Sequence, residues 1–224
     1  MTVLHTRSTL RRYAKLQPVR TGLAGLLMGR TSDSRENLVT VAMDLFHARG
    51  YNAVGVSQIC EAAKVKKGSF YHFFPSKRDL ALATIEAQWG NVRAELMDPA
   101  FATDAPPLER IGRFFTMTCA YQEASRDENG QIRGCPFGNL AIELSAHEKA
   151  IREELENIYS QMAGYIERAL AEYSPASDLR AGADELLAFH QGAVLLAKTR
   201  NDPTLIAAMA GTAVKLGNSI AEIT

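Results

Sequence analysis

The residues best suited to chemistry lie close together, where cationic and aromatic polar side chains alternate along a short stretch of chain. Lysine and arginine side chains bind phosphate groups and release the counterions that surround DNA. A cluster of charges alone is more often a solvated surface, but here aromatic residues are interleaved with the cations. The pattern predicts a nucleic-acid contact surface made of Lys64, Lys66, Lys67, Ser69, Tyr71, His72, Lys77 and Arg78.

Two short helices position this cluster. The first is predicted from Gly55, a tolerable N-cap, through residues 56–63, and the second over residues 68–74, where Pro75 disfavours a helical conformation in the residue before it. A turn of three to four residues joins them. Two short helices with such a turn are typical of a helix-turn-helix motif. The inward anchors of the second helix are predicted to be Phe70, Phe73 and Phe74.

The rest of the chain has helical periodicity and no alternating strand pattern, so we predict an all-α fold of about nine helices. The first helix begins near Ser34 and ends at Gly50, and Ser76 with Asp79 forms a capping box that starts a long helix. The last two helices, about 177–199 and 203–223, carry apolar and small residues around much of their surfaces. This composition predicts that they pair with a second copy in a homodimer, the alternative being an ordinary core within one chain.

Charge is divided between the two ends of the chain. The first 80 residues hold 13 basic and 5 acidic side chains, whereas residues 81–224 hold 12 and 20. This division is expected if the basic part of the protein faces a polyanion and the acidic part is repelled from it. The alternative is that the charges are segregated by chance.

Composition excludes several functional classes. The histidines have no metal-ligand spacing, and there is no glycine-rich phosphate loop or nucleophile with a base, so neither an enzyme nor a metal or cofactor protein is expected. Apolar runs are far shorter than the ~20 residues of a membrane helix. Three cysteines without a C-x-x-C pair favour a reducing cytoplasm over a disulfide scaffold.

Residues 1–33 form a basic extension, with five arginines, one lysine and no acid in the first 31 residues. Three interpretations are open: a disordered arm that tracks DNA, a targeting segment, or sequence upstream of a true start at Met28. We expect this extension to be disordered or not native.

The segments 46–51, 56–63 and 65–80, the last reading VKKGSFYHFFPSKRDL, closely resemble the N-terminal DNA-binding domain of TetR-family transcriptional regulators. The resemblance covers about residues 34–82. It implies a homodimer with two helix-turn-helix heads on an all-α body, about residues 83–224, that binds a small ligand and dimerises. A departure from the family pattern is Gly55, where the family often has a threonine that caps the helix and contacts phosphate.

The resemblance also assigns DNA-binding residues. It places Lys67, Ser69, Tyr71 and His72 on the recognition helix, Ser57 at the start of the preceding helix and Lys77 on a phosphate, and we add Lys66 from the basic cluster. Packing in the core is the alternative for Tyr71.

A second resemblance lies in the body. Residues 133–140, RGCPFGNL, look like a Gly-Cys-x-x-Gly-Asn-Leu element in a branch of the family, some of whose members resemble electrophile sensors. A thiol at a helix N-terminus beside Arg133 is expected to have a lowered pKa and to act as a trigger, so Cys135 is a candidate sensor, the alternative being a structural cysteine. A noncovalent inducer is the other possible trigger. Its predicted pocket lining, which could equally be plain core, comprises Phe114, Phe115, Tyr121, Phe137, Tyr165 and Phe189.

We therefore expect a cytoplasmic homodimeric regulator, a repressor that binds a near-palindromic operator in double-stranded DNA. Its recognition helices would enter successive major grooves roughly 34 Å apart. The alternative is a helical interaction module whose head no longer binds DNA.

Overall fold

A computed structural model describes residues 30–174 and 179–223, and within these ranges it contains ten α-helices of five or more residues and no β-strand. The all-α prediction is confirmed. The helices are α1 Arg30–Arg49, α2 Val56–Ala62, α3 Lys67–Phe73, α4 Lys77–Val92, α5 Pro107–Ala124, α6 Pro136–Leu144, α7 Lys149–Tyr173, α8 Arg180–Arg200, α9 Thr204–Ala208 and α10 Ala210–Ile223.

The head consists of α1, α2 and α3, with α4 packed against α1. Gly50 ends α1 with φ +83°, a left-handed conformation that glycine adopts at little cost. Ser76 caps α4 by accepting a hydrogen bond from the Asp79 amide at 3.2 Å, as the sequence predicted. The core of the head is formed by Leu38, Ala42, Phe46, Ile59, Phe70, Phe74, Leu80 and Ile85, all nearly inaccessible to solvent.

The body is a bundle in which α5 packs against α7, α9 and α10, and α8 packs against α7. Large apolar side chains fill it, including Ile111, Phe114, Ile158, Leu186 and Val194. None of the described helices has the length and apolar character needed to cross a membrane.

Three helix boundaries differ from the predictions. The first helix begins at Arg30 rather than near Ser34, so the last four residues of the predicted extension belong to α1. The long helix predicted to start at Ser76 is α-helical only to Val92, and the chain continues through a π-helical turn, Arg93–Met97, and a short helical turn, Asp98–Ala100. The predicted final helix is interrupted at Met209, between α9 and α10. Predictions about residues 1–29, including a start at Met28, lie outside the described residues.

Candidate nucleic-acid interface and ligand pocket

The two short head helices, α2 and α3, meet in a four-residue turn, residues 63–66. Lys64 occupies the left-handed region of this turn, with φ +55°. At the start of α2, the Gln58 side chain accepts a hydrogen bond from the Gly55 amide at 2.8 Å, which satisfies the N–H of the N-cap residue although Gly55 has no side chain to cap the helix. Asn37 of α1 donates to the Ala63 carbonyl at 2.6 Å and holds the end of α2. The helix-turn-helix frame is thus fixed by specific hydrogen bonds.

Six of the seven predicted DNA-binding residues share one property: their side chains are exposed to solvent. Tyr71 is 49% exposed and stands edge-on to the buried Phe70 ring, with 5.0 Å between ring centroids. The core alternative for Tyr71 is therefore wrong. Of the predicted anchors, Phe70 and Phe74 are buried and Phe73 is half-buried against the core. The exposed set, here called the basic surface, is Ser57, Lys66, Lys67, Ser69, Tyr71 and His72.

Lys77 is the seventh residue, and its ammonium group points into the head. Its Nζ donates to the Tyr51 and Val54 carbonyls at 3.1 Å each and lies 3.9 Å from the Tyr51 ring centroid. Burial lowers the Lys77 pKa. Two of the three N–H groups of the ammonium are thus bonded within the head, and the contact of Lys77 with a phosphate stays a prediction.

The Gly-Cys-x-x-Gly-Asn-Leu element forms the entry to α6, and four of its five named residues make contacts that shape this entry. Gly134 has φ +75°, and a β-carbon there would come within 2.8 Å of the Lys198 side chain. Cys135 is the N-cap of α6, and its Sγ accepts from the Gly138 amide at 3.4 Å. Asn139 donates to the Arg133 carbonyl and accepts from Lys198 Nζ at 2.8 Å. Glycine and asparagine thus allow α8 to approach the thiol closely.

The prediction of a lowered pKa for the Cys135 thiol is wrong. Hydrogen bonds to Sγ from the Gly138 and Phe137 amides, Tyr159 and Gln191 favour the thiolate, but burial outweighs them and raises the pKa. Arg133 is directed elsewhere, since its guanidinium bonds Asp44 at 2.5 Å. Burial also raises the pKa of the Tyr159 hydroxyl, which therefore remains a hydrogen-bond donor at neutral pH.

A cavity of about 280 Å³ lies beside Cys135. Its volume falls just below the ~300–1,000 Å³ of typical small-molecule pockets. Most of the lining is apolar, and the polar side chains that reach it are Asn139, Tyr159, Gln191 and Lys198. We call it the Cys135 cavity; its lining is Gly134, Cys135, Gly138, Asn139, Ala141, Ile142, Tyr159, Gln191, Gly192, Val194, Leu195 and Lys198.

The predicted aromatic pocket does not form as one site. Phe114, Tyr121 and Phe137 do meet, around a second space of only about 30 Å³ that also reaches Cys135. Phe115 instead packs on Phe189, with ring centroids 5.6 Å apart. Tyr165 packs at a tilt against Phe101, with ring centroids 5.6 Å apart, and its hydroxyl donates to Asp98; burial raises the pKa of Tyr165 to about 12. None of the described residues form a His, Cys, Asp and Glu cluster able to hold a metal ion.

Three polar contacts join the Cys135 element and α6 to the head. The Nε2–H of His47 donates to the Gly134 carbonyl at 3.1 Å, and Arg133 bonds Asp44 of α1. Glu143 of α6 accepts from the Tyr51 and Asn52 amides at 2.8 and 2.6 Å, just after α1 ends. The wall of the cavity is therefore bonded directly to the first helix of the head.

Sequence reasoning missed Tyr159, Gln191, Lys198 and Glu143. A signal was present for part of the cavity: residues 191, 194, 195 and 198 follow the i, i+3, i+4, i+7 spacing of one helical face. Nothing in the sequence pairs that face with Cys135, which is more than 50 residues away.

Comparisons with known proteins define the family to which this chain belongs. Residues 38–84 match the family model described as bacterial regulatory proteins, tetR family, and residues 107–212 match the tetracyclin repressor-like C-terminal domain. The chain belongs to the TetR family and is a DNA-binding transcriptional regulator. Members of this family bind operator DNA and act as dimers.

Particular relatives cover most of the chain. The transcriptional regulator AcuR of Cereibacter sphaeroides is 35% identical over 179 residues, which are 76% of this chain and 80% of AcuR. The repressor DhaR of Mycobacterium sp. strain GP1 is 29% identical over 170 residues, 73% of this chain and 82% of DhaR. A crystal structure of a TetR regulatory protein from Rhodobacter sphaeroides superposes with a TM-score of 0.69 at 31% identity, covering 82% of this chain and 98% of that one.

Proposed function

We propose that the protein is a cytoplasmic homodimeric repressor without catalytic activity, and that it leaves its operator when a small molecule occupies the Cys135 cavity. The observation that carries this proposal is the hydrogen bond from His47 of the head to Gly134, a residue of the cavity wall. A ligand that shifts Gly134 necessarily shifts a contact with α1.

DNA binding is assigned to the basic surface. Lys66 and Lys67 stand at the start of α3 with their side chains exposed, where they can neutralise phosphates. Ser69, Tyr71 and His72 project from the same short helix, whose other side is fixed in the core by Phe70. A rigid anchor with an exposed polar face suits a recognition helix in the major groove.

Dimerisation is assigned to α8 and to the segment formed by α9 and α10. Apolar side chains are exposed on α8, with Leu195 at 54% and Leu196 at 42%. The exposed residues of the final segment include the small Ala208, Gly211 and Ser219. Small residues permit close approach of helices, and burial of the leucines supplies hydrophobic stabilisation.

The cavity favours a small molecule with an apolar body and one polar group. Such a group could bond the Gln191 amide or the Lys198 ammonium, both of which reach the cavity. Since the pKa of the Cys135 thiol is raised, noncovalent occupancy is the primary trigger that we propose. Addition of the thiol to an electron-poor alkene is a second route, in which sulfur bonds the β-carbon and the thiol proton passes to the α-carbon.

The first experiment recovers fragments of the source genome that purified protein retains at near-physiological salt. A shared inverted repeat, lost with a Lys67→Ala/Tyr71→Ala double variant, is expected. Absence of any enriched fragment would contradict the repressor and would favour a head that has become an interaction module.

The second experiment separates the two triggers. N-ethylmaleimide serves as the thiol probe, and release from the recovered operator is compared between the native protein and Cys135→Ser. Cys119→Ser is the matched control, because Cys119 is also only partly exposed but does not line the Cys135 cavity. Release that persists in Cys135→Ser would remove Cys135 as a sensor and leave noncovalent binding as the trigger.

A further inference from the structure

The Cys135 cavity is open on one side, and its rim is unusually apolar for a surface. Ile142 is 81% exposed and Leu195 is 54% exposed, and both line the cavity. A ligand in a single chain would therefore remain in contact with water, between two apolar side chains that are themselves solvated. Burial of such surface is the main favourable contribution to association, so the open side is suited to being covered.

The rim is continuous with an exposed stripe along α8. The exposed residues 181, 188, 192, 195, 196 and 199 fall on one side of a helix with 3.6 residues per turn. Two of them, Gly192 and Leu195, also line the cavity. We call this set, Ala181, Ala188, Gly192, Leu195, Leu196 and Thr199, the α8 stripe. A β-carbon placed on Gly192 would meet no atom of the chain within 4 Å. Any partner that packs along the stripe must therefore pass over the mouth of the cavity.

Charges beside the stripe match a second copy of the same chain. Glu185 lies seven residues before Gly192 and Arg200 lies eight after it, which corresponds to about 10 and 12 Å along the helix axis. Neither forms a salt bridge among the described residues of one chain. Two α8 helices running antiparallel about a two-fold axis near Gly192 would bring Glu185 of one subunit close to Arg200 of the other, as an isologous interface requires.

We propose that α8 of a second subunit closes the mouth of the Cys135 cavity, so that each ligand site is complete only in the dimer. This inference rests on the dimer of the proposed function. It adds residues of the partner subunit's α8 to the lining of the Cys135 cavity. The rim residues Ile142 and Leu195 become buried when the dimer forms. A bound ligand then touches the subunit interface as well as the wall that contacts the head, and ligand affinity falls when the dimer dissociates.

The experiment measures how fast N-ethylmaleimide alkylates Cys135, followed peptide by peptide by mass spectrometry, in full-length protein of known oligomeric state. The variant is Ala188→Glu, which places a charge on the stripe at a residue that does not line the cavity. The control is Ala102→Glu, which adds the same charge at an exposed position before α5. Cys60, which is buried in the head, reports unfolding in the same sample.

The Ala188→Glu variant is expected to be monomeric and to alkylate at Cys135 at least tenfold faster than the native dimer, with the Cys60 rate unchanged. Native protein diluted until it dissociates should show the same acceleration at Cys135. If Ala188→Glu also speeds alkylation of Cys60, the variant is unfolded, and the dilution of native protein then decides whether the partner closes the cavity.

Two results would overturn the inference. The first is an unchanged rate of Cys135 alkylation in both the monomeric variant and the diluted native protein. It would show that the partner does not close the cavity, while the proposed dimer stands. A variant that stays dimeric would place the interface away from the stripe, and native protein that is monomeric would refute the dimer itself.

Discussion

The contact between Glu143 and the end of α1 gives a quantitative test of how the body controls the head. Its half-buried carboxylate accepts two backbone N–H groups, from Tyr51 at 2.8 Å and Asn52 at 2.6 Å. Hydrogen bonds to a charged acceptor contribute roughly 1.5–3 kcal/mol each. In Glu143→Gln one oxygen becomes an NH₂ donor that faces an amide donor, so at least one bond and the charge are lost.

We expect Glu143→Gln to lower the free energy of unfolding by about 2 kcal/mol, which corresponds to roughly 4–8 °C in Tm for a chain of this size. Under the proposed function the same contact would also carry the coupling between the cavity and the head, and allosteric coupling energies are about 1–3 kcal/mol. A loss of about 2 kcal/mol reduces by roughly 30-fold the change in operator affinity that a trigger can produce. Operator affinity without any trigger should change much less, since the basic surface is untouched.

The assays are thermal unfolding by calorimetry and fluorescence anisotropy of labelled operator, before and after N-ethylmaleimide. Glu153→Gln is the matched control, because Glu153 is exposed and, within the described part of the chain, its salt bridge is to Lys149 at 3.5 Å in an i,i+4 arrangement. An exposed pair of this kind contributes little. If Glu143→Gln matched Glu153→Gln in both Tm and release, the assignment of Glu143 as the link between α6 and the head would be refuted.

Three further predictions concern the head. Lys67→Ala should weaken operator binding about equally for related sequences and reduce the slope of log affinity against log salt by about 1, as measured by anisotropy titrations at several salt concentrations. The pKa of His47 is lowered to about 4 by burial, so the unfolded state binds more protons between pH 6.5 and 4 and stability falls as pH decreases through that window. Urea unfolding of His47→Gln, which can still donate to Gly134, should therefore show a pH dependence shallower by up to about 1.4 kcal/mol per pH unit. Gly50→Ala should cost about 1–2 kcal/mol by chemical denaturation, because φ is +83° and the new β-carbon would lie 3.1 Å from Glu143 Oε2.

The features that the sequence predicted correctly are encoded locally. The cap at Ser76, the glycine that ends α1 and the burial of Phe70 depend on residues a few positions apart, so spacing alone carries the information. The exposure of Tyr71 follows from the same short helix once Phe70 is fixed in the core. For this reason these features of the head could be predicted, whereas the inward position of the Lys77 ammonium group, set by carbonyls more than 20 residues earlier, could not.

The cavity could not be predicted in this way. Glu143 meets Tyr51 across 92 residues of chain, and the thiol of Cys135 is met by Tyr159 and Gln191 from two other helices. Such convergence depends on how helices pack, which leaves no mark in a local pattern. The error in the Cys135 pKa has the same origin: a helix N-terminus is visible in the sequence, whereas the burial that outweighs it is not.

In the proposed function, the short helix α6 would link occupancy of the cavity to the position of the head. Gly138, Asn139 and Ile142 face the cavity, whereas Leu140 packs toward a space that it shares with α1 residues and Glu143 holds the end of α1. A nine-residue helix capped at Cys135 would move as a rigid unit if displaced, since its backbone hydrogen bonds resist deformation along its length. A ligand that pushes one face therefore displaces the other by a similar amount. Since packed interfaces adopt discrete arrangements rather than deform continuously, a small shift of α6 is sufficient to favour a second position of the head.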